Sequence, residues 1–225
     1  MSRSPAAASR GRLARGSLSP ETILDAAERV AADGIDALTI RAVAAELGAS
    51  TMALYRHFPT KDVLVDALLD RVLARFAPPA GTDDWLHDLT GCAVAHRDLL
   101  VRHPWAVVPL ISHPTPGLGA VRVGEVVLAA LDRGGVRGDA AVAAFSGIIA
   151  LNYGWSAFAT SKDAARFGDG TSAGLGDLLA ALPAEQFPHT VRVASAMAGY
   201  GSDAHYTWVL GQLLTGLASR AALQP

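Results

Sequence analysis

The chain has 225 residues, of which 51 % are apolar and only 18 % charged, with a formal net charge of −2. Collagen-like and wholly disordered classes are excluded by that composition, and the single cysteine, Cys92, excludes a disulfide-built fold and suits a reducing compartment. A charged share below the usual level of about 25 % implies apolar surface that helix or subunit contacts must cover.

Charge is unevenly distributed. Residues 1–61 carry eight Lys/Arg against six Asp/Glu, and the remainder eleven against fifteen. Arg3, Arg10, Arg12 and Arg15 lie in a Ser/Ala/Gly-rich opening stretch with no acid before Glu21. Such a stretch buries too little to fold alone, so residues 1–18 read as a basic arm, with no apolar run of the signal-peptide kind. Ser19-Pro20 then opens a helix: a capping hydroxyl followed by a proline at the first helical position. Ile23, Ala26, Ala27, Val30 and Ala31 recur at helical spacing and Gly34 ends the run. Thr39 caps a short helix from Ile40 to Leu47 stopped by Gly48, and Ser50 caps another from Thr51 to about Phe58. Thr60 caps a fourth, from Lys61 towards Phe76, broken by Pro78-Pro79.

Two short helices around a glycine-centred turn form a helix-turn-helix arrangement, whose second helix can lie in a DNA major groove. Val43, Ala44, Leu47, Leu54 and Phe58 are expected to face inward. That leaves Thr51, Met52, Ala53, Tyr55, Arg56 and His57 outward.

Beyond residue 76 the punctuation predicts helices at about 83–103, 105–112, 117–134, 139–161, 184–200 and 203–222, with 162–182 a Gly/Ser/Asp-rich loop. The 22 residues from Ala140 to Ser161 carry no charge, the length of a membrane-spanning helix. Ser146, Gly147, Asn152, Gly154 and Ser156 interrupt it and one side lacks a Lys/Arg-rich flank, so it reads as a helix covered on both sides in an oligomer. The helix at 203–222, with Tyr206, Leu210, Leu213, Leu214 and Leu217, is also nearly charge-free. Cys92 and His96 share a helix face, yet a zinc site needs at least three protein ligands, so no metal is expected. No phosphate-loop pattern or activated nucleophile stands out, and no enzyme or cofactor is expected.

Three stretches carry a resemblance: Leu38-Thr39-Ile40-Arg41-Ala42-Val43-Ala44-Ala45-Glu46-Leu47-Gly48, then Leu54-Tyr55-Arg56-His57-Phe58, then Lys61 and Leu64. With their spacing, residues 19–68 resemble the DNA-binding domain of the tetracycline-repressor (TetR) family. The resemblance implies an all-α homodimer: a helix-turn-helix head at 19–65 and a ligand-binding and dimerisation domain at 66–225. Carried over by position, it implies that Arg41 meets a phosphate or a base, and that Thr51, Met52 and Ala53 open the recognition helix. Tyr55, His57 and Lys61 would take phosphates. Met52 and Ala53 offer only apolar contact, so base hydrogen bonds fall to Thr51 and Arg56. Gly91 and Pro109 stand where the family's tetracycline-and-metal pocket carries Asn and His, so neither ligand is implied. His103, Trp105, Ser112, His113, Phe145, Ile149, Asn152 and Tyr153 are the candidate residues for a largely apolar small-molecule effector.

The function expected is that of a cytoplasmic, ligand-responsive transcriptional regulator, a repressor released from a palindromic double-stranded operator. A helical small-molecule-binding protein without DNA-binding activity is the other reading. The arginine-bearing arm and the Tyr55-Arg56-His57 set argue against it.

Overall fold

The computed structural model describes residues 18–113, 117–160 and 173–221, so most of the expected basic arm lies outside the described residues. Among those described there are eleven α-helices and no strand, as the all-α expectation requires. The chain divides into two compact units, 1–69 and 70–225, against an expected boundary at residue 65.

The first unit contains α1 (Pro20–Ala31), α2 (Ile40–Leu47), α3 (Thr51–Tyr55) and most of α4 (Lys61–Leu73). Each start is fixed by a side-chain oxygen that takes an otherwise unpaired backbone N–H. The Thr22 N–H donates to Ser19 Oγ at 3.2 Å and the Ala42 N–H to Thr39 Oγ1 at 3.0 Å. The Ala53 N–H donates to Ser50 Oγ at 3.3 Å and the Val63 N–H to Thr60 Oγ1 at 3.1 Å. Gly48 has φ +61°, the left-handed conformation that ends α2 and redirects the chain into α3. All five residues expected inside are buried, joined by Ile23, Ala26, Ala27, Leu38 and Leu64. The third helix is shorter than expected. Regular geometry stops at Tyr55, and Arg56 and His57 form a turn held by the Phe58 N–H on the Leu54 carbonyl at 2.9 Å.

In the second unit α5 (Trp85–Arg102) packs against α7 (Leu118–Arg133), α8 (Gly138–Thr160) and α11 (Asp203–Ala221). Their shared core includes Leu89, Cys92, Val127, Leu131, Ile148, Tyr206, Leu210 and Leu214. A short 3-10 turn (Pro104–Ala106) and α6 (Val107–Ser112) lie against α8. Asp84 caps α5 through the Leu86 and His87 N–H groups, both at 3.0 Å. The Asp70 carboxylate accepts from the Gly119 N–H at 2.6 Å, and a Cβ on Gly119 would lie 2.6 Å from the Asp70 carbonyl oxygen. Only glycine fits that crossing.

Two expectations are corrected. The loop expected at 162–182 contains α9 (Ala173–Ala180) among its described residues. The helix expected at 184–200 is instead α10 (Pro188–Val193) followed by a 3-10 turn at Ala196–Gly199. Pro188 starts α10 at its first position, and α9 packs on the 3-10 turn so closely that a Cβ on Gly176 would lie 2.9 Å from the Ala194 carbonyl. By length and hydropathy Gly138–Phe158 could cross a membrane, and 28 % of an 18-residue window within it is buried.

Candidate functional site

The outward set of the first unit is positioned by its caps. Arg41 is the second residue of α2 and Lys61 the first of α4, and both are exposed. Positive partial charge from the free N–H groups of these helix ends adds to their own. Leu54 turns fully inward from α3, which leaves Met52 72 % and Tyr55 43 % exposed, with Thr51 and Ala53 half-buried. Arg56 and His57 project from the turn that follows, and Phe58 returns the chain to the core. Between Thr39 and Lys61 the one carboxylate is Glu46, and the Arg29 Nε–H donates to it at 2.9 Å. All eight residues expected to contact DNA therefore sit on two capped helices, one turn and the next helix start. The surface carries three cations, Arg41, Arg56 and Lys61, with the exposed carboxylate of Asp62 following Lys61 in α4. Phosphate oxygens and base edges are what such donors can meet.

In the second unit the expected ligand residues do not form one cluster. Asn152 is completely buried and its amide is fully engaged. Its Nδ2 donates to the Ala93 carbonyl at 2.9 Å and to His96 Nδ1 at 3.0 Å, and its Oδ1 accepts from the Tyr206 hydroxyl at 2.8 Å. Burial pushes His96 down to about 4, so its ring is neutral and Nδ1 is free to accept. Burial likewise pushes the Tyr206 hydroxyl up to about 12, which keeps it a donor. The Tyr153 ring lies 6.0 Å from His96, and Phe76 meets His96 edge-on at 6.4 Å. Phe145 and Ile149 are half-buried, with Phe145 alongside Gly124 of α7. Trp105 is buried in the segment that packs on α8. His103 is turned elsewhere: Arg75 Nη1 donates to its Nε2 at 3.0 Å and its Nδ1 bonds the Leu99 carbonyl at 2.9 Å. Ser112 is exposed with its hydroxyl on the Val108 carbonyl at 3.2 Å, and His113 is half-exposed beyond it.

Sequence reasoning missed Arg97, which is buried on α5 with its guanidinium 4.5 Å from the Tyr206 ring centre and Nη2 on Asp203 at 2.5 Å. It also missed a cavity of about 500 Å³ bounded by Trp155, Phe158, Tyr200, His205, Trp208 and Val209. A signal existed for Trp208, a large aromatic off the stripe formed by Tyr206, Leu210, Leu213, Leu214 and Leu217. Among the described residues no three His, Cys, Asp or Glu side chains gather as a metal site would require. Burial pushes the Cys92 thiol up, away from nucleophilic reactivity.

Residues 23–68 match the N-terminal domain of the tetR family of bacterial regulatory proteins, and residues 77–221 match the tetracyclin repressor-like C-terminal domain. The HTH-type transcriptional repressor DrrR1 of Streptomyces coeruleorubidus is 40 % identical over 114 residues, a match spanning 49 % of this chain but 42 % of that protein. An HTH-type transcriptional regulator of Saccharopolyspora erythraea is 31 % identical over 214 residues, covering 92 % of this chain and 87 % of that one. In three dimensions the chain superposes on apo ActR of Streptomyces coelicolor with a TM-score of 0.82, at 23 % identity, over 93 % of this chain and 99 % of ActR. ActR in complex with actinorhodin superposes with a TM-score of 0.81 at 24 % identity, over 92 % of this chain and 99 % of that one. At that identity the likeness establishes the fold. The two domain matches cover most of the residues from 23 to 221, in the order and at the positions where the helix-turn-helix and the larger helical unit lie. The chain belongs to the tetR family of bacterial regulatory proteins, a family of ligand-responsive DNA-binding transcriptional regulators.

Proposed function

We propose that this regulator is a cytoplasmic repressor that holds a palindromic operator as a homodimer and leaves it when a small molecule binds the second unit. The observation that carries the DNA-binding part is the exposed cationic and aromatic set of Arg41, Tyr55, Arg56, His57 and Lys61 beside Thr51, Met52 and Ala53, with the Glu46 carboxylate already taken by Arg29. Thr51 and Arg56 supply base hydrogen bonds, Met52 and Ala53 apolar contact with a thymine methyl, and Arg41, Tyr55, His57 and Lys61 phosphate contacts.

Dimerisation is supported by the solvent faces of α8 and α11. Ala143, Ser146, Ala150 and Gly154 are exposed along one side of α8, and Trp208, Gly211 and Thr215 along one side of α11. No charged residue lies between Asp139 and Lys162 or between Asp203 and Arg220. Faces so free of charge are typical of subunit contacts, and nothing lies within 4 Å of where a Cβ would stand on Gly154 or Gly211. The effector is largely apolar and uncharged. Phe145, Ile149 and Tyr153 form its wall along α8, with Trp105 beside it and Asn152 holding that wall in place, while His103, held by Arg75 and the Leu99 carbonyl, and Ser112 and His113 stand apart from it.

Replacing Lys61 by alanine tests the first element. Affinity should fall almost uniformly across DNA sequences, with the salt slope lowered by about one per protomer bound. Arg41→Ala should also weaken binding. Unchanged affinity and slope in both variants would remove the assignment.

A further inference from the structure

We infer that the His96 Nε2–H donates a hydrogen bond to a carbonyl oxygen of the effector, so that the second unit selects an uncharged aromatic ketone over the bare hydrocarbon. The inference rests on the effector wall of Phe145, Ile149 and Tyr153 proposed above and adds its polar anchor. The proton is placed by the geometry of one buried amide. The Ala93 carbonyl can only accept, so the Asn152 atom 2.9 Å from it is Nδ2. The other amide atom, the oxygen, takes the Tyr206 hydroxyl at 2.8 Å. The second Nδ2 hydrogen falls on His96 Nδ1 at 3.0 Å, and that nitrogen must offer a lone pair. A neutral imidazole has a single N–H, so with Nδ1 accepting, the proton lies on Nε2. Burial, which pushes the ring down to about 4, keeps it in this neutral form.

Imidazole nitrogens point away from each other, so the Nε2–H leaves the ring on the side away from Asn152. Among the described residues no group accepts that hydrogen. His96 is only 2 % exposed, yet Nε2 is not sealed from solvent. A donor this deep costs free energy until an acceptor reaches it. His96 belongs to α5, inside the subunit and clear of the α8 and α11 faces proposed for dimerisation. Phe76 meets its ring edge-on at 6.4 Å, and Tyr153 of the effector wall lies 6.0 Å away. Burial raises the Tyr153 hydroxyl and keeps it protonated, a second donor on the same wall. Phe76, Phe145 and Ile149 offer no acceptor for the hydrogen of a ligand hydroxyl, whereas a carbonyl oxygen only accepts. None of these side chains is charged, so a carboxylate would lose its hydration with no counter-ion in return. The rings of Phe76, Phe145 and Tyr153 favour an aromatic body for the same molecule.

The test compares fluorenone with fluorene, a ketone and a hydrocarbon of nearly the same shape, by equilibrium dialysis against the full-length protein. The wild type should bind fluorenone about tenfold or more tightly than fluorene, a difference of roughly 1.4 kcal/mol or more. His96→Phe should remove that preference by weakening the ketone alone. His96→Gln, whose amide can accept from Asn152 and still donate, should restore most of it. Nitrogen NMR of histidine-labelled wild type, with the His96 signal identified by its loss in His96→Gln, should show the Nε2–H tautomer at neutral pH. That signal should shift on adding fluorenone and stay in place with fluorene. The NMR and the wild-type comparison decide the matter even if circular dichroism shows His96→Phe unfolded. Phe145→Ala should weaken both ligands, because it cuts the wall and not the anchor. No saturable fluorenone binding, equal wild-type affinities, an Nδ1–H tautomer, or a folded His96→Phe that keeps the preference would each overturn the inference. If Phe145→Ala still weakened both ligands in that event, the effector wall would stand without its anchor. Affinities for both ligands unchanged by Phe145→Ala would remove the wall itself, and the inference with it.

Discussion

The two units of this chain hold themselves together differently. In the described part of the head, the buried side chains are apolar and the polar groups either cap helix starts or face outward. In the second unit Asp88, His96, Arg97, Asn152 and Ser156 are all buried. Asp88 accepts from the Thr82 backbone N–H and hydroxyl and pairs with Arg133, while Asn152 ties α5, α8 and α11 through Ala93, His96 and Tyr206. A dry polar tie is specific because each partner left unpaired costs far more than an exposed one. The head is therefore a rigid presenter of surface groups. The larger unit is an arrangement of helices whose register depends on a few polar contacts, the kind of core in which a ligand can bias one arrangement over another.

That contrast predicts a ranking of mutational costs. Asn152→Ala leaves the Tyr206 hydroxyl, His96 and the Ala93 carbonyl short of partners in the core. It should cost about 3–5 kcal/mol in urea unfolding followed by circular dichroism. A loss under about 1 kcal/mol would show that the network adds little. The next effect is a pH dependence confined to the second unit. His96 has a folded value of about 4 against an ordinary 6.5, so the unfolded chain binds a proton first as pH falls. Stability should be complete above pH 6.5 and decline between 6.5 and 4 by about 3 kcal/mol. His96→Gln should flatten that slope. Asp88, held below its ordinary 3.8 chiefly by the Thr82 N–H, acts only in a more acid window. The smallest effect belongs to the head. Ser50→Ala removes one cap from α3 and should cost about 1 kcal/mol in thermal melting.

The same contrast explains what could be read from the chain beforehand. Ser19, Thr39, Ser50 and Thr60 announce helix starts within a few residues of the groups they cap, and Gly48 announces the turn between α2 and α3. Local chemistry therefore gives the head its elements and its outward set. Arg97 was invisible because its place is fixed by Tyr206 and Asp203, more than a hundred residues away in sequence. Asn152 was visible as a polar residue in an apolar helix, but its role was not, since its partners lie on α5 and α11. Pro188 is a local signal for the start of α10, whereas the close approach of Gly176 to Ala194 that accompanies α9 joins segments apart in the chain.

Selection of bound sequences from random DNA by the purified full-length protein tests the central claim most directly. Two copies each presenting Arg41, the α3 residues and Lys61 should enrich an inverted repeat whose half-site centres lie about one helical turn, roughly 34–36 Å, apart or a multiple of that spacing. Recovery of no shared sequence, or of a single asymmetric half-site bound by one chain, would contradict the account.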